Sequence, residues 1–152
     1  AKPVQLGHAA SADGAWRLYL FADASGQGLR ELAAFLAESP SSPVSRFTPT
    51  DADIDTVIDV RAVFQQAHRD LKVNDLPSRL LPRKGQFGLV DYEKVYSPDL
   101  KHGPDIFDLR GIDRTRGAVV VVRPDQYVSQ VLPLNAHAEL SDFFGRFLLE
   151  RR

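Results

Sequence analysis

Apolar positions along the chain fall into blocks whose spacing changes from one to the next. Arg17-Leu18-Tyr19-Leu20-Phe21-Ala22 is a short apolar and aromatic run that ends in Asp23 and Ser25-Gly26-Gln27-Gly28. A run of that length closed by turn-forming residues predicts a buried strand. Leu29, Leu32, Ala33 and Leu36 then recur at helical spacing, with Phe35 beside them, Arg30 and Glu31 off the stripe and Ser39-Pro40 at the end. That is the pattern of an amphipathic helix. From Ile54 to Phe64 the chain has strong β character interrupted by Asp55, Asp59 and Arg61, which predicts a second strand with one wetter face. Strand, helix and strand in succession imply a parallel pair, because the crossover helix returns the chain in the same direction.

Ala118-Val119-Val120-Val121-Val122 is too uniformly β-branched for a surface strand, so it is expected near the sheet centre with both faces covered. Arg123-Pro124-Asp125-Gln126 places Pro and Asp where a tight turn needs them, and Tyr127 to Leu132 resumes as an antiparallel partner. After Pro133, Asn135 is placed to cap a helix on which Leu140, Phe143, Phe144, Phe147 and Leu148 form one stripe. Glu139 near its start and Arg146, Arg151 and Arg152 near its end suit the helix dipole. This order of elements predicts an α/β fold of thioredoxin-like type, a central mixed sheet with helices on both faces.

The stretch from about 71 to 117 interrupts that plan. It shows no sustained period and is punctuated by Pro77, Pro82, Pro98, Pro104 and five glycines, so it reads as a long irregular insertion. Leu76, Leu80, Leu81, Phe87, Leu89, Val90, Tyr92, Val95, Tyr96 and Phe107 give it more apolar surface than a solvated linker carries. Part of it is expected to cover the domain's own core and part to meet a neighbouring domain or subunit.

Composition narrows the function. At 152 residues and 43% hydrophobic, the chain supports one domain over 1–152. Nineteen basic and twenty acidic side chains leave a formal charge of -1, which provides no general attraction to nucleic acid or anionic membranes. No apolar run approaches the roughly 18 residues of a membrane span, and no targeting segment is apparent, so a cytoplasmic location is expected. The absence of Cys removes disulfides, zinc-thiolate sites and thiol redox chemistry together. The chain also has no Met, and Ala1-Lys2-Pro3-Val4-Gln5-Leu6 reads as the middle of a polypeptide, which suggests excision from a longer protein.

Candidate chemistry is sparse. Gly26-Gln27-Gly28 resembles a phosphate-cradling turn, but Glu31 stands where a third glycine is needed, leaving a plain strand-to-helix turn. Asp23-Ala24-Ser25-Gly26, where a thioredoxin would hold its cysteines, has no thiol. Asp51, Asp53 and Asp55 start like a calcium loop, but Thr56 and Ala62 occupy its Gly and Glu positions, leaving a solvated lead-in. His8, His68, His102 and His137 are scattered, without metal-ligand spacing. No catalytic, cofactor-binding or metal-binding residue is therefore assigned. The alternation Asp105, Asp108, Arg110, Asp113, Arg114, Arg116 is either a salt-bridged loop or a set of arginines reaching across an interface. Arg79, Arg83 and Lys84 are expected to be ordinary surface.

Leu80-Leu81-Pro82-Arg83-Lys84-Gly85, Val90-Asp91-Tyr92-Glu93-Lys94-Val95, Phe107-Asp108-Leu109-Arg110-Gly111-Ile112-Asp113 and Val122-Arg123-Pro124-Asp125-Gln126-Tyr127-Val128 together resemble the C-terminal domain of FAD-dependent aromatic hydroxylases of the phenol hydroxylase group. The resemblance implies a parent with a flavin domain, a substrate domain and this thioredoxin-like tail, associated with dimerisation. Such a parent uses FAD and NADPH to hydroxylate a phenol such as 3-hydroxybenzoate, and neither cofactor is bound wholly by this segment. The implied partners are the upstream domains of the same chain and a second copy. Phe87, Tyr92, Tyr96, Phe107, Arg110 and Arg114 are the candidate interdomain or dimer contacts. The rival readings are a free-standing, redox-inactive thioredoxin-fold adaptor that binds a protein partner, a parent that is a phenol 2-monooxygenase, and a small enzyme working around Ser25 or His68.

Overall fold

The computed structural model describes residues 2–150. The chain opens with β1 (Trp16–Phe21), α1 (Gln27–Glu38), α2 (Pro43–Phe47) and β2 (Ile58–Val63). There follow β3 (Arg83–Lys84), β4 (Leu89–Val90), β5 (Val95–Tyr96), α3 (Ile106–Arg110), β6 (Ala118–Val122), β7 (Val128–Leu132) and α4 (His137–Gly145). Five strands form one mixed sheet in the order β5-β2-β1-β6-β7, while β3 and β4 make a separate hairpin. β1 and β2 run parallel, with Leu18 opposite Val60. β6 returns antiparallel to β1, with Leu18 opposite Val121, and β7 antiparallel to β6. This is the thioredoxin-like α/β plan expected from the blocks.

The two sheet faces are covered unequally. Leu18 and Leu20 of β1, Ile58, Val60 and Ala62 of β2, and Val119 and Val121 of β6 share one face, buried beneath Leu29, Leu32 and Leu36 of α1, Val44 and Phe47 of α2, and Leu140 and Phe144 of α4. The alternation of side chains along a strand sends their neighbours to the other face. There Tyr19, Phe21 and Val63 pack beneath Phe107 of α3, with Leu6, Ile106 and Ile112 around them.

Trp16 opens β1 among the rings of α4 and its exit. Its centroid is 5.8 Å from that of Phe143, 5.4 Å from Phe144 and 5.0 Å from Phe147.

Several expectations need revision. β2 is shorter than the 54–64 block, and all six of its residues are buried, so its charged face is dry. Asn135 does not cap α4, whose N-cap is Ala136 without a side-chain hydrogen bond. The short helix α2, capped by Ser42 accepting from Ser45 N at 3.1 Å, went unpredicted, since one turn has too few residues to show a period. The insertion contains β5, which pairs with β2 as a parallel edge strand, and α3, capped by the Asp105 carboxylate. β6 is interior, but Val120 and Val122 are only partly buried. The domain therefore covers one face of this valine strand and leaves the other incomplete.

Candidate functional site

The turn after β1 is closed by its own side chains. Asp23 Oδ1 accepts from Leu29 N at 3.2 Å, and Asp23 Oδ2 accepts from Ser25 Oγ at 2.5 Å. Burial pushes the Asp23 carboxyl up, but hydrogen bonds from Ser25, Leu29 and Gly28 outweigh this and hold it below the ordinary carboxylate value. An ionised carboxylate thus fills the N-terminus of α1. A flavin or nicotinamide pyrophosphate placed there would meet both that charge and the missing third glycine, so these residues do not fit a dinucleotide. The turn is also sealed from behind, because Gln65 Nε2 donates to Ala22 O at 2.8 Å and Arg114 O at 2.7 Å.

A buried ion network lies near the first residues of β1 and β2. Arg17, Asp59 and Arg61 alternate with core residues along the strands and point to the α3 side of the sheet, where water would normally receive them. All three are nonetheless buried, together with Asp55, Arg79 and Lys94. Lys94 Nζ is 2.7 Å from Asp55 Oδ2 and 2.7 Å from Asp59 Oδ1. Arg61 Nε donates to Asp59 Oδ2 at 2.8 Å, and its Nη1 donates to Ala9 O and to the Tyr96 hydroxyl, each at 2.8 Å. Arg17 completes the group through Asp13 at 2.8 Å and the Ala15 carbonyl at 2.8 Å. Lys84 reaches Asp55 at 3.0 Å from the rim.

The network opens into a cleft of ≈ 370 Å³ bounded by the carboxylates of Asp13, Asp53, Asp55, Asp59, Asp91 and Glu93 and the cations of Arg61, Lys84 and Lys94. Its buried carboxylates are taken up by these cations. Among the described residues no three His, Asp or Glu side chains converge to hold a metal ion. The arrangement locks the N-terminal loop, β2 and the start of β5 to one another. A second, smaller cleft carries Arg30, Glu38, Asn74 and Asp75 beside Ala34, Leu76 and Pro77.

The structure changes the reading of several charged residues. Asp55 belongs to this network and is not solvated. Arg79, expected at the surface, is 5% exposed and donates one hydrogen bond, to Ile54 O at 3.2 Å. Its Nε has no partner, and burial lowers its pKa despite the charges of Asp55 and Asp59. Alternating charges in a β-branched run mark either a wet face or paired ions, and periodicity alone cannot separate the two.

The six candidate contacts divide by environment. Phe107 is fully buried, edge-on to Phe21 at 5.5 Å, so its ring belongs to the domain's own core and has no surface to offer. Tyr96 is half-buried and tied to Arg61 and to Glu93 O. Arg114 lies over the Phe107 ring and pairs with Asp105 at 2.9 Å and Asp108 at 3.1 Å. Phe87 and Tyr92 are open to solvent, at 79% and 63%, and Arg110 is exposed. Phe87 stands on the β3–β4 hairpin with Leu89, itself 70% exposed. The hairpin is held in place by Asp53 Oδ1 accepting from Gly85 N at 2.9 Å.

Taken together, these features define an α/β domain of thioredoxin-like plan whose usual reactive turn is closed and whose surface carries ordered apolar projections, the build of an association module. The chain belongs to the family described as "Phenol hydroxylase, C-terminal dimerisation domain", which matches residues 1–152. It is 56% identical over 154 residues to the 3-hydroxybenzoate 4-monooxygenase of Comamonas testosteroni, an alignment covering 97% of this chain and 24% of that protein. It is 32% identical over 160 residues to the FAD-dependent monooxygenase terD of Aspergillus terreus, covering 99% of the chain and 26% of the relative. A phenol 2-monooxygenase of Aspergillus fumigatus is 25% identical over 148 residues, covering 95% and 24%. The chain thus spans about a quarter of the length of these curated relatives.

Proposed function

We propose that residues 1–152 form a single domain at the C-terminal end of a larger, cytoplasmic FAD-dependent aromatic hydroxylase, where they join two subunits and brace the catalytic domains of their own chain. The observation that carries this reading is the 56% identity, sustained over 97% of the chain, to a relative named as a 3-hydroxybenzoate 4-monooxygenase. That name makes 3-hydroxybenzoate the proposed substrate, with NADPH as the proposed source of electrons. Oxygen insertion belongs to the flavin, and the residues described above supply no step of it. Their part is mechanical. The ion network stiffens the insertion, so that Phe87 and Tyr92 are presented in fixed positions to the preceding domains, an arrangement that limits the entropy lost on association.

The test is to express the full coding sequence and a version ending before this domain. The full protein is expected to be yellow with bound flavin, to sediment as a dimer, and to oxidise NADPH faster with 3-hydroxybenzoate than with phenol. The shortened protein is expected to keep its flavin and lose the dimer. A native protein no longer than the present chain, or a shortened protein that dimerises as well as the full one, would overturn the proposal. Preference for phenol would overturn the substrate alone.

A further inference from the structure

We infer that the second copy docks on the open face of the β6–β7 hairpin, on the valines of Val120, Val122, Val128 and Val131. This inference rests on the dimerisation reading above and adds to it the surface that performs the role. Val120 lies opposite Val131, and Val122 opposite Val128, so the four side chains form two cross-strand pairs on the same sheet face. That face is the one α3 covers only in part: Val120 and Val122 are partly buried beside Ile112, whereas Val128 and Val131 remain 60% and 58% exposed. A β6 of Ala118 and four valines is a sequence suited to cover on both faces, and the domain completes only one. The missing cover has to come from another surface.

Symmetry selects the occupant. A two-fold dimer presents the same patch from both sides, so the patch must complement itself. A shallow field of valines does so, since two such fields pack face to face as the layers of a β-sandwich do. The other apolar projection, Phe87 on its hairpin, is a knob that needs a socket. The larger described cleft is lined mainly by charged and polar side chains, and the second sets Ala34, Leu76 and Pro77 among Arg30, Glu38 and Asp75, so neither is an all-apolar socket for a ring. The knob therefore suits a different partner surface, and the valine face suits a second copy. A standard interface covers about 800 Å² on each partner, so the four valines form its apolar centre within a polar rim. Packing is by the face and not by pairing of free edges, because β7 carries a register shift between Val121 and Val122 of its partner strand, and such a bulge spoils an edge for further pairing.

The experiment measures the dimer dissociation constant of the full-length protein by sedimentation equilibrium. Val131→Asp places like charges across the two-fold axis and is expected to raise the constant about a hundredfold, with circular dichroism unchanged. Val131→Lys alone does the same, and mixing the two variants restores a heterodimer. Leu100→Asp, a change at an exposed residue that follows β5 at the opposite edge of the sheet from β7, serves as the control and leaves the constant unaltered. Should V131D fail to fold, Val131→Thr keeps shape and β-branching and still raises the constant several-fold. A V131D or V131T dimer with the wild-type constant, or a constant that moves with Phe87→Asp in place of V131D, overturns the assignment of this face. A wild-type full-length protein that is monomeric instead removes the dimerisation reading itself.

Discussion

Lys94 and Asp59 meet at 2.7 Å, with both side chains out of solvent. Lys94 stands immediately before β5, and its carbonyl accepts from Ala62 N of β2 at 2.8 Å. One residue therefore joins β5 to the sheet by backbone and side chain together, and the irregular insertion acquires a fixed end.

Asp59→Asn tests how much the fold depends on that carboxylate. It leaves Arg17, Arg61 and Lys94 buried with less counter-charge, and removing one member of a buried ionic group costs about 3–5 kcal/mol. Urea denaturation should show a midpoint shifted accordingly with the slope retained. A loss below about 1 kcal/mol, the size expected of a surface pair, would show that the network is solvated.

The network also sets the pH range of stability. Burial pushes the Asp55 carboxyl up, but hydrogen bonds from Lys94 and Lys84 outweigh it and hold the group below the ordinary 3.8. Burial pulls the Lys94 ammonium down, and the hydrogen bonds to Asp55 and Asp59 outweigh that, holding it above the ordinary 10.5. The Asp55 contribution is complete above its unfolded value and is lost as pH falls through its lower folded value. The Lys94 contribution is complete below its unfolded value and is lost as pH rises through its higher folded value. Stability from this group should be level between 3.8 and 10.5 and fall outside that interval. Denaturant titrations of Asp55→Asn should show a shallower acid limb, and an unchanged limb would remove Asp55 from the account.

Gly117 and Gly85 separate backbone strain from close packing. Both have positive φ, 63° and 66°, where a side chain costs about 1–2 kcal/mol. A Cβ at Gly117 would lie 2.4 Å from Phe21 O and 2.7 Å from Asp23 N, whereas at Gly85 it meets nothing within 4 Å. Gly85→Ala should lose only the strain energy. Gly117→Ala should lose clearly more and loosen the turn after β1, and equal losses in thermal unfolding would show that the end of β1 can move aside.

Phe144→Ala should destabilise the protein by about 3–5 kcal/mol, the cost of deleting a buried ring. Trp16 is the only tryptophan and lies 5.4 Å from that ring, so its fluorescence reports the docking of α4. Emission should shift to the red in the folded variant, while an unshifted spectrum would place Trp16 outside this aromatic cluster in solution.

Sequence alone determined those parts of the protein whose causes are local. The stripe at Leu29–Leu36, the β-branched run of β6 and the first part of the Leu140–Leu148 stripe fixed their elements, because helix and strand periodicity follow from backbone geometry, although α4 ends at Gly145, short of the expected Phe147 and Leu148. The lack of cysteine removed thiol chemistry, and the quoted motifs carried the family. Tertiary structure alone decided where the charges went. Asp59 and Arg61 lie in a strand whose composition is compatible with a wet face, and the return of Lys94 from 35 residues away helps make that face dry. Likewise β5 has two residues, too few for any pattern, and exists as a strand because β2 presents an edge to it. Whether Phe107 or Phe87 reaches the surface was equally beyond the sequence, since both are lone aromatic residues in a stretch with no sustained period, and the one-turn helix that carries Phe107 is too short to show one. The fold buries one against Phe21 and leaves the other exposed.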